Sequence, residues 1–71
     1  MAEPTNKDRA EWAYDSLGTF MERTGCDIED ALADLLCDLM HYADQHGYDF
    51  NVELLRADGH YLEEKSEEEQ S

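Results

Sequence analysis

Ile28-Glu29-Asp30-Ala31-Leu32-Ala33-Asp34-Leu35-Leu36-Cys37-Asp38-Leu39-Met40-His41-Tyr42-Ala43-Asp44-Gln45-His46 is the stretch that decides the fold. Ile28, Ala31, Leu32, Leu35, Leu36, Leu39, Met40 and Ala43 recur at the three- and four-residue intervals of one helix face. Asp27 precedes the run as an N-cap, with Asp30 three residues on, and both suit the positive end of the helix dipole. Gly47 follows it as a C-terminal stop. The spacing therefore predicts a helix over about 28–46, roughly five turns long. More than a third of its circumference is apolar, which three-helix packing or a symmetric homodimer could consume.

Working outward, the segment before it carries Ala10, Ala13, Tyr14, Leu17, Met21 and Thr24 at helical spacing, with Trp12 and Phe20 flanking the stripe. Thr5 and Asp8 have the spacing of a capping box, and Gly25 is a stop, so a first helix is expected over about 6–24. Gly18 inside it costs about 1 kcal/mol relative to alanine and marks either fraying or a close backbone approach. On the other side, Gly47-Tyr48-Asp49 reads as cap, link and cap. Phe50, Leu54, Ala57 and Tyr61 then fall on one line, with Leu55 and Leu62 beside it. That predicts a third helix over about 50–62, interrupted late by Gly59. Residues 63–71 offer no apolar anchor and are expected to be a disordered acidic tail. The expected fold is all-α, a small three-helix bundle with short turns, in a single domain over 1–62.

The chain has 71 residues, with nineteen carboxylates against five basic side chains and a net charge of −14. Residues 1–9 cancel. Residues 10–62 hold twelve carboxylates against Arg23 and Arg56, and the tail holds five glutamates against Lys65. Most of the excess thus belongs to the folded part. Such a field repels nucleic acid and anionic membrane and attracts basic surfaces, so direct DNA or RNA binding is not expected. No stretch approaches the roughly 20 apolar residues of a membrane span. Cys26 and Cys37 are too few for a disulfide framework, and a bridge between them conflicts with the helix, so a reducing, cytoplasmic setting is expected.

Asp30, Asp34 and Asp38 repeat every four residues along the polar side of the central helix, which contains no lysine or arginine. Glu11 and Asp15 form a similar pair on the first helix. One reading is a solvated face from an acid-rich proteome. The other is a partner-binding surface that offers its charges in place of phosphates to a basic, nucleic-acid-handling protein. Trp12, Tyr14, Tyr42 and Tyr48 could anchor such an interface where exposed, although most are expected in the core. In general character the chain resembles small acidic inhibitors encoded by phages and plasmids, including anti-CRISPR proteins.

A second resemblance bears on catalysis. The stretch from Glu29 to Leu36, with Leu39-Met40-His41-Tyr42-Ala43, Gly47-Tyr48-Asp49-Phe50 and Leu54-Leu55-Arg56-Ala57, resembles the second half of the all-α MazG-like nucleotide pyrophosphohydrolases. That likeness implies a Glu-x-x-Glu motif on an upstream helix and a Glu-x-x-Asp motif on this one, together holding magnesium on a triphosphate. The aspartate falls on Asp34, but the glutamate three before it falls on Ala31, and Glu11 and Asp15 stand four apart rather than three. The metal motif is therefore incomplete, and no basic cluster is present to grip phosphates. Cys37 and His41 lie one turn apart but make only half of a zinc site. Asp34 and Asp38 beside Cys37 disfavour a reactive thiolate. No catalytic residue, metal or cofactor is expected. The reading is a binding protein, with a reduced MazG-like enzyme or an acidic accessory module as alternatives.

Overall fold

The computed structural model describes residues 3–70, and among them the chain forms three helices joined by short turns, with no strand. These are α1 (Asn6–Thr24), α2 (Ile28–His46) and α3 (Phe50–Gln70). The fold is the expected all-α class, and α1 and α2 have the expected bounds.

Local chemistry fixes both ends of α1, the end of α2 and the start of α3. Thr5 Oγ1 accepts from the Asp8 backbone N–H at 3.1 Å, while Asp8 Oδ2 accepts from the Thr5 N–H at 3.0 Å, completing the reciprocal capping box. Gly25 closes α1 at φ 78°, a left-handed conformation that glycine adopts without a Cβ penalty, and its N–H donates to Met21 O at 2.8 Å. Gly47 repeats the device after α2 at φ 77°, where the Tyr48 N–H donates to Ala43 O at 2.9 Å. Asp49 starts α3, with Oδ1 accepting from the N–H groups of Asn51 and Val52 at 3.0 and 3.3 Å. Asp27 occupies the N-cap of α2 without a side-chain cap bond, although the Asp30 N–H donates to its carbonyl at 3.0 Å.

The expected end of α3 near Leu62 and the expected disordered tail over 63–71 differ from what is observed. The helix continues to Gln70, while Ser71 lies outside the described residues. Glutamate, lysine and glutamine are good helix formers and can extend a helix that is already nucleated. The extension is also held from the other end of the chain. The guanidinium of Arg9 pairs with Glu64 at 3.2 Å, and Asn6 Nδ2 donates to the Glu64 carbonyl at 3.1 Å and to the Glu68 carboxylate. Arg9 is itself steadied by Asn6 Oδ1 at 2.7 Å. The start of α1 thereby clamps the last turns of α3, and with Arg9 and Glu64 each about a third exposed their ion pair contributes modestly.

Packing is thin. Among the described residues only Ala31 and Ala43, both on α2, are buried, with Leu17, Phe20 and Met21 of α1, Leu35 of α2 and Phe50 of α3 half-buried. Phe20 therefore lies inside the packed stripe of α1 rather than beside it. The accessible surface is 6242 Å², against about 4,500 Å² for a compact protein of this mass. The radius of gyration is 14.3 Å, against about 11 Å for a compact chain of this length. The three helices are splayed around a common centre that they do not fill.

Gly18 and Gly59 interrupt neither helix, and a Cβ built on either would meet nothing within 4 Å. Neither fraying nor a close backbone approach within the chain accounts for Gly18. Gly59 is exposed and lies across α3 from the line of Phe50, Leu54, Ala57 and Tyr61. Gly59→Ala is expected to stabilise the protein by about 1 kcal/mol, raising the thermal midpoint by about 4–8 °C. Calorimetry of the two proteins at equal concentration checks this.

Candidate functional site

Two surfaces on α2 carry the features from which function can be argued, and they lie on nearly opposite sides of its axis. At about 100° per residue, Asp30, Asp34 and Asp38 fall across from Leu32, Leu36, Leu39 and Ala43.

The acidic side is a ridge. Asp30, Asp34 and Asp38 are all exposed, and successive carboxylates rise along the axis by about 6 Å, four residues at 1.5 Å each. Among the described residues the ion pairs are Arg9 with Glu64 and Arg56 with Glu53, so none neutralises the ridge. Asp34 and Asp38 border a shallow depression with Cys26 and Cys37, whose other wall is Phe20 and Thr24 of α1. Asp30 stands one turn nearer the start of the helix. Glu11 and Asp15 are exposed on α1. The ridge is thus a single-helix feature with a defined register, because α2 packs against both α1 and α3 and buries Ala31 and Ala43 on its other faces.

Metal chemistry finds no assembled site among the described residues. No group of three or more histidine, cysteine, aspartate or glutamate side chains is placed to hold an ion. Cys26 and Cys37 are both free thiols, half-buried and exposed respectively. Asp34, the residue matched to the pyrophosphohydrolase motif, has Ala31 buried at the position of the missing glutamate. No helix among the described residues is long and apolar enough to cross a membrane.

The apolar side is open. A groove of about 500 Å³ runs between α2 and α3, with Leu36, Leu39 and Tyr42 on one wall and Phe50, Leu54 and Ala57 on the other. Leu32 is 62% exposed, Leu36 43% and Leu39 44%, although all three belong to the stripe expected to form the core. Trp12, Tyr14, Tyr42 and Tyr48, most of which were also expected to be buried, are all more than half exposed. The physical reason is shared: three helices at these crossing positions leave too little inward surface for so many large apolar side chains. Tyr42 instead packs against His46, ring centroids 4.3 Å apart, and stacks on Tyr48 at 6.3 Å, forming an exposed aromatic cluster at the end of α2. The breadth of the apolar arc was the sequence signal for this face. The groove itself depends on how α3 crosses α2, which no local pattern encodes.

Comparison with protein-family models, with curated proteins and with solved structures yields no match. Functional inference therefore rests on the two faces of α2.

The electrostatics of the ridge are testable in the isolated protein. Asp34 makes a like-charge pair with both Asp30 and Asp38, each costing a few tenths of a kcal/mol. Asp34→Asn is expected to raise stability by about 0.4–1 kcal/mol in urea titrations at low salt. Because a net charge of −14 is offset by only two ion pairs among the described residues, the thermal midpoint of the unmodified protein is expected to climb as sodium chloride screens self-repulsion. A falling midpoint would show that attractive pairs dominate.

Proposed function

We propose that this is a small acidic binding protein of the cytoplasm that engages a basic, nucleic-acid-handling partner, acting as a nucleic-acid mimic that inhibits it in the manner of an anti-CRISPR protein. The observation that supports this reading is the ridge of Asp30, Asp34 and Asp38. It is exposed, in fixed helical register, and without a cationic partner among the described residues. Glu11 and Asp15 on α1 extend the same field.

The mechanism is substitution. A nucleic-acid-binding groove presents lysine and arginine to phosphates spaced by about 3.4 Å of axial rise per strand. A helix carrying one carboxylate per turn offers those cations an alternative acceptor set. The partner gains ion pairs, while the occupied groove is closed to its nucleic acid. Long-range attraction makes encounter fast and sensitive to ionic strength. Trp12 and Tyr14 are exposed on α1 and can add aromatic contacts at the rim of such an interface.

The test uses the full chain immobilised and exposed to lysate from its source cell at low salt. The expected result is retention of nucleic-acid-binding proteins that elute in a salt gradient and are displaced by added DNA or RNA. An Asp30→Asn, Asp34→Asn, Asp38→Asn triple variant is expected to lose them while remaining helical by circular dichroism. Undiminished retention by the folded triple variant rejects the mimic. Magnesium-dependent release of pyrophosphate from nucleoside triphosphates, abolished by Asp34→Ala, would support the pyrophosphohydrolase reading instead.

A further inference from the structure

We infer that the groove between α2 and α3 is filled by a second copy of this chain, so that the folded unit is a homodimer with α2 at its centre. This rests on area and side-chain placement rather than on the acidic ridge, and it stands or falls separately from the proposed function.

Area comes first. The chain exposes about 1,700 Å² more than a compact protein of its mass. Part of that belongs to the charged end of α3. If only half is apolar face, two copies meeting there remove about 1,700 Å² in total, the size of a standard stable interface. If all of it is, the total of about 3,400 Å² lies in the range of obligate homodimers. With Ala31 and Ala43 as the only buried residues among those described, a single copy has little to set against its chain entropy. A partner that completes the core has to be present whenever the chain folds, and a second copy always is.

Placement then selects the face. The exposed Leu32, Leu36 and Leu39 follow one another at intervals of four and three residues, the spacing of a seam that packs helix against helix, and the line runs on to Ala43, which is already buried within the chain. A two-fold axis through such a seam sets each leucine against its own counterpart region, so one apolar patch serves both sides. No carboxylate of α2 lies within the seam, the one carboxylate lining the groove, Glu53 of α3, is paired with Arg56 at 3.0 Å, and Asp30, Asp34 and Asp38 project from the other side of α2. Two copies can therefore meet without bringing their densest acidic faces together. Phe50 and Leu54 form the outer wall against which the incoming helix would rest.

Charge gives the arrangement a signature. Joining two chains of −14 is opposed by repulsion that salt screens, so self-association tightens as salt rises. Binding of a basic partner through the ridge has the opposite salt dependence. One measurement thus separates the two interfaces.

The experiment is sedimentation equilibrium of the full chain over roughly 1 to 100 μM, in low and moderate salt. The expected mass is twice the 8.2 kDa of the chain, with dissociation weakening as salt is added. The thermal midpoint is expected to rise with protein concentration, as it does when folding and pairing are linked. Leu39→Asp is expected to weaken pairing by roughly thirtyfold or more. Because folding and pairing are linked in that variant, placement is read independently by cross-linking. In a Cys26→Ser, Cys37→Ser background, Leu39→Cys is expected to form a disulfide-linked dimer under mild oxidation and Asp34→Cys is not. A folded species of single-chain mass at the highest concentration, with a concentration-independent midpoint, overturns the inference and leaves the groove to a different protein. So does cross-linking through position 34 but not 39.

Discussion

The apolar arc of α2 is broader than two neighbouring helices can cover, and that constraint shapes everything else in the molecule. α2 packs against both α1 and α3, yet among the described residues burial is complete only at Ala31 and Ala43, small residues that permit helices to approach. Between them the leucines stay open. A chain of 71 residues is already near the lower limit at which one hydrophobic core sustains a fold. Here the core is divided by a groove, and the structure buries only about half of the surface of the unfolded chain. What keeps the helices themselves in place is largely local: a capping box, two left-handed glycines and an aspartate cap.

Acid and apolar surface are segregated on the same helix, and the segregation couples them. Repulsion along Asp30, Asp34 and Asp38 is tolerable only if the other side of α2 is anchored, since an isolated helix would be weakened by each like-charged pair. A better-filled groove therefore yields a stiffer ridge. Stiffness matters for a surface that works by complementarity, because ordering flexible side chains and backbone at an interface subtracts from affinity. The clamp from Asn6 and Arg9 to Glu64 serves the same end for α3, tying down a strongly acidic segment that has no apolar residue of its own.

What was legible in the sequence follows from how local each determinant is. Thr5, Gly25, Gly47 and Asp49 act on their immediate neighbours, so the bounds of α1 and α2 and the start of α3 could be read directly. The end of α3 could not: Glu63 to Gln70 lack the apolar periodicity by which a helix is recognised, and the residues that hold them lie at the opposite end of the chain. The aspartate ridge was legible as a spacing on one element, and its exposure agrees with that reading. The depression shared with Phe20 and Thr24, the groove against α3, and the exposure of Tyr42 and Tyr48 were not. Each depends on interhelical angles set by the whole packing.

Under the proposed function the two faces would also divide the labour that a small chain can perform. A basic groove is drawn by charge from a distance, but charge alone gives weak and unselective binding in the presence of salt. Selectivity needs a fixed array, and a fixed array needs a core. With a second copy seated on the leucine seam, the two ridges would face outward on opposite sides, each held by a core that neither chain can build alone. Assembly would then double the field available for attraction while hiding the surface most prone to nonspecific contact. The electrostatic cost of that doubling would fall on the contact between copies, where burial of the leucine seam would have to offset it.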